Sequence, residues 1–523
     1  MKLLSPIIFI FIAVSVCDGY RILGAFPFKG KSHFMMFERL MKGLSKKGHQ
    51  VDVISTFPQK KPYPNYTDLV IIPSGMTFIN NFTYELMNTL VKQSLTHSVA
   101  TIAGNEVCER LGMPEIQELV RNPPKDPPYD LLPNRFQIFG AHCYAALGYV
   151  LKVPVVGVSS AVLYPWTNDM IANPENIAIV PNNLLSYPQH MSFWQRLWNF
   201  VHAMHHKWYF NYLTAAQTEI ARKHLGPDIP DIRELENNIS MILTNSHISL
   251  NGIKPMTPAL VEVGGLHVQT DEILEKWMNE STDGFLYFSF GSMVKIESFP
   301  AQHLKIFYNS LGKIAPVRVL MKVAEPSALP PGLPKNIYSL PWIPQIDIKY
   351  LSIFAEHPNI KAFITHGGLM GTQESIHYGV PMIGVPLFGD QYVNVDIYAG
   401  NNIAVRLDVD TLTEEAMDTA INAILHDPKY RETIQRISKK FRDRPLSPLN
   451  TAIYWLEYII KHGGDSLRSP AMDLTWWQLE LLDIYAFLLL ATILSVYLLI
   501  ALPRFLYTLV NSSHAVAPKK KVS

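Results

Sequence analysis

Short apolar runs alternate with amphipathic stretches along most of the chain. The run "YRILGAFP" (20–27) has strand length. In the following "FKGKSHFMMFERLMKGLSKKGHQVDVIS", Phe34, Phe37, Leu40, Met41 and Leu44 recur at helical spacing, and Gly48 stops the helix. "QVDVIST" reads as the next strand, with further strands at "DLVIIP" and "VPVVGVSS". A strand-helix-strand unit of this kind opens a doubly wound parallel sheet. The second half repeats the alternation. "GFLYFSFGSM" (284–293) is a strand ending in a Gly-Ser turn, and a helix follows to about Ile314. "VRVLMKV", "NIYSLPW", "IKAFITH" and "VPMIGVP" are further short strands, with helices at Thr413–Leu425 and Asn450–Lys461.

The expected architecture is α/β, with two Rossmann-like domains facing each other across a cleft. Residues 20–250 form the first and 251–470 the second, with the boundary near 251–265. Residues 187–213, "YPQHMSFWQRLWNFVHAMHHKWYFNYL", break the pattern with an aromatic-rich helix. The spacing of His202 and His206 could suit a metal, but no acid lies nearby. The helix is read as packing on the core or lining a pocket for an apolar ligand.

Both termini carry further signals. "MKLLSPIIFIFIAVSVCDG" (1–19) reads as a secretory signal peptide. "IYAFLLLATILSVYLLIAL" (484–502) has no charge, and as a helix it is about 28 Å long, enough to cross a bilayer. Glu480 and Asp483 precede it, and Arg504 and Lys519–Lys521 follow it. The positive-inside rule therefore puts tail 503–523 in the cytoplasm and the rest across the membrane, a single-pass type I arrangement. Sequons at Asn65, Asn81, Asn238 and Asn279 would then face the lumen. Only Cys108 and Cys143 remain after signal removal, so disulfides are not expected to hold the fold. The formal net charge of +1 argues against nucleic acid as a partner.

The densest chemistry lies in "FITHGGLMGTQESIHYGVPMIGVPLFGDQ" (363–391). A buried strand runs into Gly367 and Gly368, and a helix follows. Glycines let backbone N–H groups approach a ligand, and a helix start attracts negative charge, so this is a diphosphate seat. His366 ends the strand at the same place. Glu374 is six residues beyond Gly368, about 9 Å up the helix, an offset that suits a ribose when the diphosphate sits at the helix start. Asp390 and Gln391 fall in a loop at the same sheet edge, where they can hydrogen-bond sugar hydroxyls.

The ordered set closely resembles the signature of the UDP-glucuronosyltransferase family, broadly the UDP-glycosyltransferases with a GT-B fold. "GKSHFMMFERLMKGLSKKGHQVDVIS", "SSAVLYPW", "YFSFGSM" and "WIPQ" are similar to family segments in the family order. The resemblance covers nearly the whole chain and is closest in style to insect members. It implies that Trp342 stacks on uracil, Gln345 bonds the nucleoside, and Ser292 helps hold the diphosphate. It likewise implies that His366 contacts phosphate, Glu374 the ribose, and Asp390 with Gln391 the transferred sugar. UDP-sugar would bind the second domain and the acceptor the first, with neither metal nor cofactor. Met370 stands where many relatives have Asn. The terminal "KKVS" resembles a dilysine retrieval signal of endoplasmic-reticulum membrane proteins.

Glycosyl transfer needs a base for the acceptor hydroxyl. His33 stands at the entrance of the first helix, whose dipole disfavours imidazolium, and the family's catalytic His aligns with it. In the family an Asp supports that base, but here alignment on "AHCY" puts His142 in its place. Pro133, Asn134 and Arg135 interrupt the preceding apolar run, which argues against a central strand there. Three arrangements stay open: His142 bonds His33, Asp130 or Asp126 substitutes, or the stretch 130–142 is irregular. The expected activity is inverting transfer of a hexose, glucose in preference to glucuronate, from UDP-sugar to hydroxyls of small lipophilic acceptors. The other reading is a weakly active or non-catalytic nucleotide-sugar-binding homologue that partners active relatives, in homo- or hetero-oligomers.

Overall fold

The computed structural model describes residues 19–73, 78–91, 94–134, 140–268, 275–341 and 359–514. The chain divides into two compact units, the first ending at Arg468 and the second starting at Ser469.

The first unit contains two wholly parallel sheets. One consists of β1 (Arg21–Phe26), β2 (Gln50–Ser55), β3 (Tyr66–Ile71), β4 (Leu132–Asn134), β5 (Val155–Ser159), β6 (Ile239–Thr244) and β7 (Leu260–Glu262). The other consists of β8 (Phe285–Ser289), β9 (Arg318–Lys322), β10 (Ile337–Leu340), β11 (Ile360–Thr365), β12 (Met382–Gly384) and β13 (Ala404–Arg406). Their orders are β3-β2-β1-β4-β5-β6-β7 and β10-β9-β8-β11-β12-β13. The central strands are apolar on both faces because helices cover both sides, so β5, β6 and β8 are buried throughout.

The helices that matter for the site are α1 (Lys31–Lys46), α2 (Phe193–Thr214), α3 (Leu369–Tyr378), α4 (Gln391–Gly400) and α5 (Pro448–His462). Helix α1 buries the stripe that its sequence spacing predicts: Phe34, Phe37, Leu40, Met41 and Leu44. Helix α5 follows the second sheet in sequence but buries Ala452, Ile453, Leu456 and Ile459 in the core of the first. The first sheet keeps the chain through Glu262, so the polypeptide crosses between the sheets after β7 and again before α5. A further tie joins the halves. Phe82 N–H donates to the Met293 carbonyl (2.9 Å), Lys295 N–H donates to the Phe82 carbonyl (2.9 Å), and Asn80 N–H donates to the Ser292 carbonyl (2.9 Å).

Two expectations need correction, and a third holds for one face of its helix. Pro133 does lie in a central strand, β4, between β1 and β5. Leu23 N–H donates to the Leu131 carbonyl and Leu132 N–H to the Pro154 carbonyl, so alternate residues face opposite neighbours. The missing Pro133 N–H falls on the β1 side, and the strand loses one ladder bond rather than its place in the sheet. Cys108 and Cys143 form a disulfide across a separation of 35 residues, so a covalent bond does cross the first domain. Helix α2 buries Asn199, Ala203, Phe210 and Thr214, while Trp194 (73% exposed), Trp208 (63%) and Tyr212 (68%) face outward. The helix packs on the core through one face, as expected, while most of its aromatic side chains lie at the surface.

The second unit contains α6 (Leu482–His514), which includes the uncharged run 484–502. It is long and apolar enough to cross a membrane, and its side chains are exposed along the span. Pro503 falls just after the apolar run.

Candidate functional site

In each sheet the order reverses once, between β1 and β4 and between β8 and β11. Loops leaving the two central strands run to opposite faces there, and a crevice opens at the carboxyl ends of the strands. The segment after β1 leads to His33, and the segments after β8 and β11 carry Gly291, Ser292, His366, Gly367 and Gly368.

At the second crevice the backbone closes tightly around one imidazole. A Cβ at Gly291 would stand 2.7 Å from the His366 ring, and one at Gly368 would stand 2.5 Å from it. Glycine is required at both because anything larger would occupy the space of the ring. Gly368 is the N-cap of α3, and Thr372 N–H is the first amide to bond back to it. The preceding first-turn amides have no intrahelical acceptor and are open to an anion. Burial, with the nearby Lys322 charge, lowers the His366 pKa to about 4, so the ring is neutral at pH 7. Its buried Nδ1 has no hydrogen-bond partner among the described residues. A neutral imidazole beside three open amides can donate to a phosphate oxygen.

Lys322 ends β9 beside this crevice and is only 3% exposed. Its Nζ donates to Asn80 Oδ1, from the first domain, and lies 3.4 Å from the Val294 carbonyl. Burial lowers its pKa to about 8, and the Glu297 charge opposes that shift. This lysine places a positive charge beside the His366 ring.

Glu374 projects from α3 and is nearly buried. Burial raises its pKa to about 8. The neighbouring His267 Nε2 is 3.7 Å away but gives no cation, because burial lowers that imidazole to about 4. Asp390 precedes α4; burial raises its pKa, opposed by the hydrogen bond that Asn394 Nδ2 donates to its Oδ2 (2.9 Å). Gln391 Oε1 accepts from the Leu387 N–H (2.9 Å) and the Phe388 N–H (3.1 Å), so only its amide N–H groups can serve a ligand.

At the first crevice His33 Nδ1 is 2.8 Å from Ser160 Oγ, in the turn that leaves β5. Ser159 Oγ shapes that turn by accepting from the Ala161 N–H (3.2 Å) and donating to the Ala161 carbonyl (2.9 Å). Asn245 Nδ2 donates to the Ser160 carbonyl (3.0 Å) and lies 3.6 Å from Met370 Sδ of α3. Gln373 Nε2 of α3 donates to the Asn245 carbonyl (3.2 Å), and its Oε1 accepts from the Gly265 N–H after β7 (3.0 Å), a second link to α3. The two crevices are therefore joined through Asn245, Met370 and Gln373. A cavity of about 570 Å³ also lies between the halves, lined by Leu163, Tyr164, Ile177 and Ile248 on one side and Asp390 and Asn394 on the other.

The supports proposed for His33 are placed elsewhere. His142 is fully buried, hydrogen-bonded to Glu236, and packed on Phe210 with ring centroids 4.9 Å apart. Glu236 also pairs with Arg233, so this is a buried cluster of its own and not a relay to His33. Asp130 Oδ2 accepts from the Arg21 N–H (2.8 Å) at the start of β1, the end of the sheet opposite His33, and Asp126 is exposed four residues earlier. Trp342 and Gln345 lie outside the described residues. Asn65, Asn238 and Asn279 are exposed, and Asn81 is half-buried beside the Phe82 tie. His206 Nδ1 is 2.7 Å from Thr96 Oγ1, and among the described residues no group of three or more His, Cys, Asp or Glu side chains could hold a metal. Ser160 lies within the family-like segment "SSAVLYPW" and Lys322 within the strand "VRVLMKV", but neither segment assigns them a role; only the fold brings their side chains to the crevices.

A family model described as "UDP-glucoronosyl and UDP-glucosyl transferase" matches residues 26–515. The chain is 35% identical to UDP-glycosyltransferase UGT5 of Dactylopius coccus, over 97% of this chain and 97% of that protein. It is 34% identical to UDP-glucosyltransferase 2 of the same organism, over 91% of each. It is 30% identical to UDP-glucuronosyltransferase 1A6 of Homo sapiens, over 89% of this chain and 87% of that protein. Among solved structures, the glycosyltransferase VinC in complex with DTDP is similar in fold, with a TM-score of 0.53 at 16% identity, covering 85% of this chain and 100% of that one.

Proposed function

The chain belongs to the UDP-glycosyltransferase family and moves sugar from a UDP-sugar to an acceptor; on that premise we propose that the sugar is glucose and the acceptors are hydroxyl groups of small lipophilic molecules, in conjugation of the detoxification type. The observation that carries the reading is the seat around His366. Open first-turn amides of α3, an unpartnered buried imidazole nitrogen and a buried lysine converge there, with Glu374 farther along the same helix. The diphosphate takes the amides, His366 and Ser292, with the Lys322 charge nearby. Glu374 takes the ribose, Trp342 and Gln345 take the uracil, and Asp390 and the Gln391 amide take the sugar.

His33 is the base. It removes the acceptor proton as the acceptor oxygen bonds to the anomeric carbon from the face opposite the diphosphate. The bond to the diphosphate oxygen breaks, UDP leaves with the electron pair, and the configuration inverts. Glucose is favoured over glucuronate because Arg406, held against α4, is already paired with Asp396 and Asp408. The apolar lining of the cavity facing Asp390 supports lipophilic acceptors. The apolar helix α6 and membership of the family support an endoplasmic-reticulum membrane protein with lumenal catalytic domains. The disulfide suits that oxidising compartment, where the exposed sequons would be used.

The test is transfer from labelled UDP-glucose and UDP-glucuronate to a phenolic acceptor panel, with membranes that contain the protein. Transfer from UDP-glucose alone is expected. Transfer from UDP-glucuronate alone overturns the donor assignment. No transfer from either, with UDP binding confirmed, assigns the chain as a non-catalytic nucleotide-sugar-binding homologue.

A further inference from the structure

We infer that Ser160 is the positioning residue for His33, a hydroxyl standing where the family resemblance called for a carboxylate. The inference rests on the reading of His33 as base.

The geometry begins with the sheet. His33 follows β1 and Ser160 follows β5, with β4 between them. Adjacent strands are about 4.8 Å apart, so the 2.8 Å contact between Nδ1 and Oγ reaches across the end of β4. A support for His33 therefore need not come from β4 at all.

The hydroxyl is held firmly. Ser160 is 3% exposed. The Ser159 side chain fixes the turn on one side, and the Asn245 amide holds the Ser160 carbonyl on the other. The base role requires the tautomer in which Nδ1–H donates to Ser160 Oγ, which leaves the lone pair on Nε2, the nitrogen that takes the acceptor proton. During transfer the proton passes from the acceptor oxygen to Nε2, and the Nδ1–H bond to Ser160 is kept throughout. A neutral hydroxyl sets the tautomer and ring orientation as a carboxylate would, but it adds no negative charge to stabilise the imidazolium that forms.

That distinction yields a specific test. Wild type, Ser160→Ala, Ser160→Thr and His33→Ala are compared with UDP-glucose and a series of para-substituted phenols of graded acidity. Binding of UDP-glucose to each variant serves as the check on folding. In Ser160→Ala, kcat is expected to fall on the order of tenfold or more with weakly acidic phenols, part of the roughly 10²–10⁴ that a general base contributes. The loss shrinks toward nothing with phenols already ionised at the assay pH, because these need no base. KM for UDP-glucose stays within about twofold, since uniform donor binding is untouched. Ser160→Thr, which keeps a hydroxyl, recovers most of the rate.

An unchanged kcat in Ser160→Ala, with His33→Ala inactive, overturns the role of Ser160 and leaves the base assignment standing. A loss equal across all the phenols, or equal in the Ala and Thr variants, also overturns it, since packing alone would then account for the effect. Full activity in His33→Ala removes the base assignment itself, a failure separable from the other two.

Discussion

Donor affinity should pass through a maximum near pH 8, set by two groups that titrate in opposite senses. Glu374 has its pKa raised to about 8 by burial, so in the empty site it is mostly protonated at pH 7. Ribose hydroxyls that donate to it favour the carboxylate, so binding lowers its pKa and releases a proton. Affinity contributed by Glu374 is therefore present above pH 8 and lost as pH falls. Lys322 has its pKa lowered to about 8 by burial, and a bound diphosphate raises it. Affinity contributed by Lys322 is present below pH 8 and lost as pH rises. If the Glu374 carboxylate returns to its ordinary range on binding, each pH unit below 8 costs about 1.4 kcal/mol of donor binding, so Kd weakens roughly 50-fold between pH 8 and pH 6. In the empty site His366 and His267 are both neutral across this window, because burial lowers them to about 4. The assay is calorimetric titration of UDP-glucose at pH 6, 7, 8 and 9, in buffers of different ionisation enthalpy to count protons. Glu374→Gln should flatten the acid limb and abolish proton release, and Lys322→Met should flatten the alkaline limb. An acid limb that survives in Glu374→Gln would refute the reasoning.

Three further outcomes follow from the geometry. Cys108→Ser should lower stability by about 4 kcal/mol, given the 35-residue separation, read as a drop in thermal midpoint that reducing agent reproduces in the parent protein. Gly368→Ala should weaken UDP-glucose binding at least tenfold, because the new methyl group would stand 2.5 Å from the His366 ring; calorimetric titration of the variant checks it. Treatment with an endoglycosidase should shift the electrophoretic mobility of protein made in a secretory system, and Asn65→Gln, Asn238→Gln and Asn279→Gln should each remove one step of that shift.

Much of the fold was legible because both sheets are covered on both faces. Their strands then read as continuous apolar runs, and α1 shows its buried stripe at regular spacing. Gly367, Gly368, His366 and Glu374 were legible because one strand-loop-helix unit carries all four within a short span. Ser160 was not, since its contact with His33 spans 127 residues and depends on the order β1-β4-β5. Lys322 looked like the polar end of an apolar strand; its burial appears only when Asn80 arrives from the other domain. Pro133 misled because the sequence shows the missing donor but not the alternation that limits its cost to one bond. Two cysteines gave no hint of pairing until the fold brought their Cα atoms within 6.0 Å.

The return of α5 to the first sheet has a practical side for anyone recombining the two sheet-bearing halves of related enzymes. A single cut between the sheets, wherever it is made, gives the first half a foreign α5. Ala452, Ile453, Leu456 and Ile459 would then meet a core they did not evolve against. A working chimera needs two junctions, one after Glu262 and one in the stretch around Asp443–Ser447, so that α5 travels with the sheet it covers. Cores tolerate hydrophobic exchange only when volume is kept, so single-junction hybrids should be the unstable ones even where both parents are sound.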